Sequence, residues 1–228
     1  MRTGSAAVLV AAVLSISALG ACGGGGGSKT APKASPGGDK ALAERIVLQK
    51  GDFPAGWSSQ PHAADPSQTA GVRQLRQCLG VGDITTSTSA DANSDDFSKG
   101  QTTNARSEAR IAQTDGQASA DLAGFQTGNA TGCLQKALEP VLKERLPSGF
   151  TPANLTVQQL VFPALKDGTA AYQASFTIPL AGTNVPVYVD FIVFRAGRAE
   201  VTLETTNAGS PFDAKLEQDL AKKMADRT

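Results

Sequence analysis

The sequence predicts an α+β fold, a single domain with one disulfide in which a C-terminal antiparallel β-meander sheet is packed by helices. Three observations carry that prediction. From Asn154 onward, apolar side chains alternate with polar ones at a period of two through successive segments. Upstream, between Lys40 and Leu146, several apolar stripes recur at spacings of three and four, the mark of a one-sided helix. Phe212, Leu216, Leu220 and Met224 then repeat every four residues to the end of the chain, a last helix whose stripe must lie on something apolar.

The start of the chain reads as a leader. Arg2 is the only charge ahead of Ala6–Ala18, which is apolar apart from Ser15 and Ser17 and runs into Leu19-Gly20-Ala21-Cys22. A charged start, an apolar middle and a small-residue end are those of a secretory signal. The run is shorter than the roughly 20 apolar residues a spanning helix needs. The Leu-Gly-Ala-Cys ending resembles the lipobox of bacterial lipoproteins. That resemblance implies lipidation of the Cys22 thiol by a diacylglyceryl group, cleavage before Cys22, and a mature chain anchored in the cell membrane on its extracytoplasmic face. A plain secretory signal that happens to contain a cysteine is the alternative.

The expected organisation is therefore residues 1–21 as signal peptide, 22–39 as lipidated Cys22 with a tether, and 40–228 as one extracytoplasmic domain. The segment Gly23–Gly38 is Gly, Ser, Pro, Ala, Thr and Lys, with almost nothing to bury, so a flexible spacer is expected. The whole chain has 21 basic and 21 acidic residues; losing Arg2 with the leader leaves 20 against 21, a formal charge of −1. That balance offers no basic excess for nucleic acid and no polybasic cluster for a membrane surface, so attachment would rest on the lipid. A monomer is expected.

Cys78 and Cys133 remain once Cys22 is set aside. In an oxidising compartment such a pair forms a structural bridge. Closing a loop of about 55 residues stabilises a fold by roughly 3–4 kcal/mol in the chain-entropy account. A redox pair is the sharper alternative, and neither the wide spacing nor the lack of a Cys-x-x-Cys motif favours it; two unpaired thiols are the third.

Along the domain, Leu42, Ile46 and Val47 predict a short helix over Lys40–Gln49. Gly51–Trp57 breaks it and presents Phe53 and Trp57 in a turn. Pro61–Ser67 reads as a loop and Gly71–Leu79 as a second helix. Gly80–Gly100 is rich in Ser, Thr, Asp and Gly and predicts an extended surface loop pinned by Phe97. Thr103, Ala105, Ser107, Ala109 and Ile111 alternate as in a strand. Ala118, Leu122 and Phe125 suit a helix, and Thr131–Leu146 a stronger one, with Pro140 expected to kink or split it. Strands follow over Leu155–Phe162, Ala170–Ile178, Val187–Phe194 and from Val201, the last two joined by a tight turn at Ala196-Gly197. Ser210 is the expected cap of the final helix, with Pro211 at its first position. A runner-up division places a helical lobe over Asp39–Gly149 and a β lobe over Phe150–Thr228.

Catalytic chemistry finds little support. His62 is the only histidine, so a zinc site of the usual kind cannot be assembled within the chain. It sits in a Pro-containing loop without a nucleophile elbow, which argues against a Ser-His-Asp triad and for a surface residue. Asp91, Asp95 and Asp96 lack the spacing of a calcium loop and read as a solvated acidic loop. Glu44, Glu108, Glu139 and Asp190 are scattered, with no evident carboxylate pair. Asp190, the one acid in an apolar strand, is expected to pair with Arg195 or Arg198, or else to face a ligand cleft. No cofactor and no metal are expected.

Several short motifs together resemble actinobacterial exported proteins and lipoproteins: Asp52-Phe53-Pro54-Ala55-Gly56-Trp57, Cys78-Leu79-Gly80, Asp96-Phe97, Cys133-Leu134, Asp190 ahead of Phe194-Arg195-Ala196-Gly197-Arg198, and Met224-Ala225-Asp226-Arg227. Their order is similar to the extracytoplasmic sensor-type domain of PknH-like kinases. The β-meander with its terminal helix is similar to the Mog1/PsbP-like fold of LpqN-type lipoproteins. The resemblance implies a binding role in a groove between sheet and helices, with no catalytic residues to carry over. The leading expectation is a lipid-anchored, non-enzymatic binding or sensor-type domain that captures a cell-envelope ligand or partner protein, with Phe53, Trp57 and Tyr188 as contact residues. The alternative is an envelope lipid carrier with an internal acyl-chain cavity, in the manner of LppX and LprG.

Overall fold

A computed structural model describes residues 36–63, 66–82, 84–145, 153–180 and 183–228. Cys22 and the signal segment lie outside the described residues. The first helix, α1 (Pro36–Ile46), reaches back past the expected Lys40 boundary. The reason is Asp39: it is buried, accepts hydrogen bonds from Arg198 (2.6 Å) and Ser89 (2.6 Å), and pins the start of the domain to the far hairpin. Burial works to raise the Asp39 pKa, but the bonds from Arg198 and Ser89 outweigh it and hold the carboxyl below its ordinary value.

A 3-10 turn (Lys50–Asp52) and the short strand β1 (Ser58–Gln60) follow. Then come α2 (Pro66–Leu79) and α3 (Ile84–Ser87). The segment expected as a loop is largely ordered strand: β2 (Thr88–Asn93) and β3 (Asp96–Lys99). These two lie end to end along one edge of β4 (Thr103–Ala112), whose long backbone supplies the partners their own composition does not advertise. Phe97 does pin the segment, as expected, and is fully buried. Asp91 and Asp96 therefore sit on strands rather than in a solvated loop.

Next are α4 (Asp115–Phe125), capped by Thr114, and α5 (Ala130–Arg145). Helix α5 runs through Pro140 as one element. The strands β5 (Ala153–Gln159), β6 (Gly168–Leu180), β7 (Thr183–Ala196) and β8 (Ala199–Ala208) form the expected meander. Gly197 turns the β7–β8 hairpin with φ +55, a conformation that favours glycine. The chain ends in α6 (Ala214–Asp226). Its cap is Asp213, which accepts from the Leu216 amide at 2.9 Å, not Ser210, which instead accepts from the Asn207 side-chain amide. Beyond its end, Arg227 grips both carboxylate oxygens of Asp52 at 2.9 Å and the carbonyls of Ile46 and Val47 at 3.1 Å, tying α6 to the end of α1.

Among the described residues the strands make one eight-stranded antiparallel sheet in the order β1-β3-β4-β8-β7-β6-β5, with β2 also on β4. The β4–β8 pairing joins the two halves that the runner-up division would separate, so the meander is half of a larger sheet and the domain is single. Each face of the sheet carries helices. On one, α1 and α6 bury Ile46, Phe97, Ile111, Ile192, Phe194, Leu203, Leu220 and Met224. On the other, α2, α4 and α5 bury Leu75, Leu122, Leu134, Leu138, Leu142, Phe176 and Val189. Cys78 on α2 and Cys133 on α5 form the expected disulfide, with their Cα atoms 5.5 Å apart. No helix among the described residues is long and apolar enough to cross a membrane.

Candidate ligand-binding site

Because side chains alternate across a strand, each register row belongs to one face. On the α2/α5 face, β6 and β7 present Tyr172, Phe191 and Val193, while α2 presents Val72 and Leu75 and α5 presents Leu134, Leu138 and Val141. Together they line an apolar cleft of about 610 Å³ counting its open mouth. Gly71 sets how close the two helices come: a Cβ there would stand 2.9 Å from Val141 Cγ2. The disulfide joins the same two helices, so the roof of the cleft is cross-linked. At its edge, the Tyr172 hydroxyl donates to the Phe125 carbonyl, and burial pushes the phenol pKa up.

One strand over, the same face turns polar. Asn104, Arg106, Glu108 and Arg110 of β4 alternate with its apolar set, and Glu200, Thr202 and Glu204 of β8 lie opposite them. Arg106 pairs with Glu204 at 2.6 Å. Arg110 pairs with both Asp121 and Glu200, and Arg76 with Asp121 at 2.7 Å, a buried network under α4. Burial raises Glu200 to about 7 against the pull of Arg110, and raises Glu108 to about 8, helped by the nearby Asp91 carboxylate. Arg106, Glu108, Thr202 and Glu204, with His62 and Asn93, line a second, polar cleft. Thr202 borders both clefts.

His62 is not a surface residue: its side chain is 8 % exposed, and its Nδ1 lies 2.9 Å from Asp96 Oδ1. A histidine held this way by a carboxylate resembles the orienting half of a catalytic triad, and two serines border the same cleft. Both hydroxyls are engaged on backbone. Ser94 Oγ accepts from the Ser107 amide and donates to the Asp95 carbonyl, while Ser107 Oγ accepts from the Leu48 amide. Among the described residues no group of His, Cys, Asp and Glu is placed to hold a metal ion.

The expected contact residues stand on the opposite face. Phe53 and Trp57 are brought together, with ring centroids 4.6 Å apart; Phe53 also stacks on Phe97 at 4.4 Å, and Trp57 approaches Phe212 at 6.2 Å. Both are partly buried against the α1/α6 core. Tyr188 lies on that face too, across from Ser175 and Asn207, with no ring contact to the pair among the described residues. Asp190 pairs with neither arginine. It is 4 % exposed and bonded to the carboxyl of Glu217 on α6, which also accepts from Thr205 at 2.6 Å. Burial, and then the adjacent Asp190, push Glu217 up to about 8, and burial raises Asp190 as well. A carboxylate pair thus exists, made by a helix that sequence spacing alone cannot place.

The polar cleft was legible as a pattern. The β4 residues between the apolar ones read Arg106, Glu108, Arg110, and those of β8 read Glu200, Thr202, Glu204. Mixed charges at a period of two ordinarily mean a solvated face; here Asp121 of α4 covers the Arg110 end and His62 borders the other.

No family model and no curated protein matches the chain. Two solved structures from Mycobacterium tuberculosis are similar to it. One is LpqN, described as involved in cell envelope biogenesis: 11 % identity, 76 % of this chain and 77 % of that one, TM-score 0.28. The other is the extracellular domain of PknH: 10 % identity, 82 % and 95 %, TM-score 0.42. Both are of the kinds that the sequence motifs resemble.

Proposed function

We propose that this chain is a non-catalytic, extracytoplasmic binding or sensor-type domain, lipid-anchored through Cys22, that captures the apolar part of a cell-envelope ligand or partner in the cleft between α2, α5 and the sheet. The observation that carries the reading is the cleft itself. Concave sites with mainly apolar walls and a few polar groups at one end are where small ligands bind. The leader and the Cys78–Cys133 bridge support an oxidising, exported location. The engagement of Ser94 and Ser107 on backbone supports the absence of catalysis. Lipid carriage is the second reading, favoured by the same apolar walls.

The test uses the full chain with Cys22→Ser, exported and purified without detergent, beside the same chain carrying Leu138→Trp. Organic extracts of the first should yield an apolar compound that the second lacks. Near-stoichiometric acyl lipid would put carriage first. An empty chain that also binds no apolar fluorophore would overturn both readings. The lipid anchor is checked separately: labelled palmitate should enter the wild-type chain and not Cys22→Ser.

A further inference from the structure

The two clefts meet at Thr202. In the sheet register, Val193 faces Thr202, Thr202 faces Glu108, and Glu108 faces Asn93; in the next row on the same face, Phe191 faces Glu204 and Glu204 faces Arg106. Each row starts in the apolar cleft on β7 and has reached the polar cleft by β4. Adjacent strands are only about 4.8 Å apart. A molecule lying across the strands would thus cross from apolar to polar surroundings over β8, at Thr202.

The polar end has a definite character. Its guanidinium, Arg106, is already paired with Glu204, and the neighbouring Arg110 with Asp121 and Glu200. Positive charge is therefore matched by carboxylate. Glu108 has its pKa raised to about 8 and is protonated at neutral pH, so its carboxyl both donates and accepts hydrogen bonds. The Thr202 hydroxyl and the Asn93 amide, which line the same cleft, do likewise. An anionic head would meet two carboxyl groups and cations already committed. An uncharged hydroxylated head would find groups that match it in both directions.

We infer that the ligand is an amphiphile with an uncharged, hydroxyl-bearing head, its chain under α2 and α5 and its head against Glu108, Thr202 and Asn93. This rests on the apolar cleft being a binding site, and the test separates the two. Using the exported full chain with Cys22→Ser, binding of three probes below their micellar concentrations is measured by calorimetry: octyl glucoside, octyl phosphate and 1-octanol. Octyl glucoside should bind at least about tenfold more tightly than octyl phosphate, the worth of one good hydrogen-bonded contact. Glu108→Leu should remove that advantage and leave octanol unchanged, while Glu108→Gln, which keeps a donor and an acceptor, should retain most of it. Equal or tighter binding of octyl phosphate overturns the head assignment. So does a Glu108→Leu chain that binds octyl glucoside as the parent does. In either case, octanol binding that disappears with Leu138→Trp leaves the apolar reading standing. Failure of all three probes to bind overturns the apolar reading, and this inference with it.

Discussion

The two faces of the sheet differ although they share every strand. On the α1/α6 face, the row Phe194–Val201–Ala109 is apolar from end to end, and its neighbours Ile192 and Leu203 are fully buried. On the α2/α5 face, one residue along the same strands, the row Val193–Thr202–Glu108 passes from an apolar cleft to a half-buried carboxyl. A shift of one position in a strand exchanges faces, so a single set of backbones supports a filled core on one side and a binding surface on the other. The filled face also collects non-covalent ties: Arg198 to Asp39 and Arg227 to Asp52. The hollow face has such ties too, Arg76 and Arg110 to Asp121, and adds a covalent one. An unfilled interior forgoes contacts that would otherwise hold its helices, and a cross-link between α2 and α5 replaces part of that loss without filling the space.

The largest test of this contrast is to remove the cross-link. Cys78→Ser with Cys133→Ser should cost about 3–4 kcal/mol in chemical denaturation, from the loop the bridge closes. The effect should also be lopsided. Amide exchange in α2 and α5 should rise well beyond the change in global stability, while α1 and α6 stay protected. Uniform loss of protection would mean that the bridge serves the whole domain equally and that the hollow face has no special need of it.

The sequence makes one side of this contrast readable and conceals the other. The stripe of α6 and the alternation in β7 dictate the filled face, because matching apolar periods leave few ways to bury both. The disulfide follows from two cysteines in a chain whose first residues read as an export signal. What escapes is whatever depends on shape or on distant pairing. Leu134, Leu138 and Val141 look like any core stripe; that space remains beneath them depends on how closely Gly71 lets α2 approach. β2 and β3 are polar and short and exist because β4 is long enough to pair with both. Asp190 and Glu217 meet only once α6 has docked, so no spacing announces them. Phe53 and Trp57 stand out as turn aromatics, yet from sequence a core cap and a contact surface look alike.

The next test is the response to pH, where the faces should behave alike. Glu217 on the filled side is raised from an ordinary 4.5 to about 8, and Glu108 and Glu200 on the hollow side to about 8 and 7. An acid with a raised native pKa keeps its proton when folded and loses it when unfolded. Between its unfolded and folded values the unfolded chain therefore binds fewer protons, and stability falls as pH rises. Stability should decline from about pH 5 to pH 8 and level off above. Glu217→Gln and Glu108→Gln should each flatten that decline, whereas Glu139→Gln, exposed on α5, should leave it alone. Stability that rises with pH across this window would show that these acids are ionised in the native state.

The smallest and most pointed test puts the same change on both faces. Leu220 and Leu138 are both buried helical leucines, one in the filled layer and one lining the cleft. Replacing leucine by phenylalanine adds volume. Where neighbours already touch on every side, the added atoms force shifts costing roughly 1–3 kcal/mol. Where one wall is space, they enter it and gain contacts the leucine lacked. Leu220→Phe should therefore lower stability by about 1–3 kcal/mol. Leu138→Phe should change it by less than about 0.5 kcal/mol, while weakening the binding of octanol. Equal penalties at the two sites would mean that the cleft closes when empty, and that a ligand must open it rather than find it.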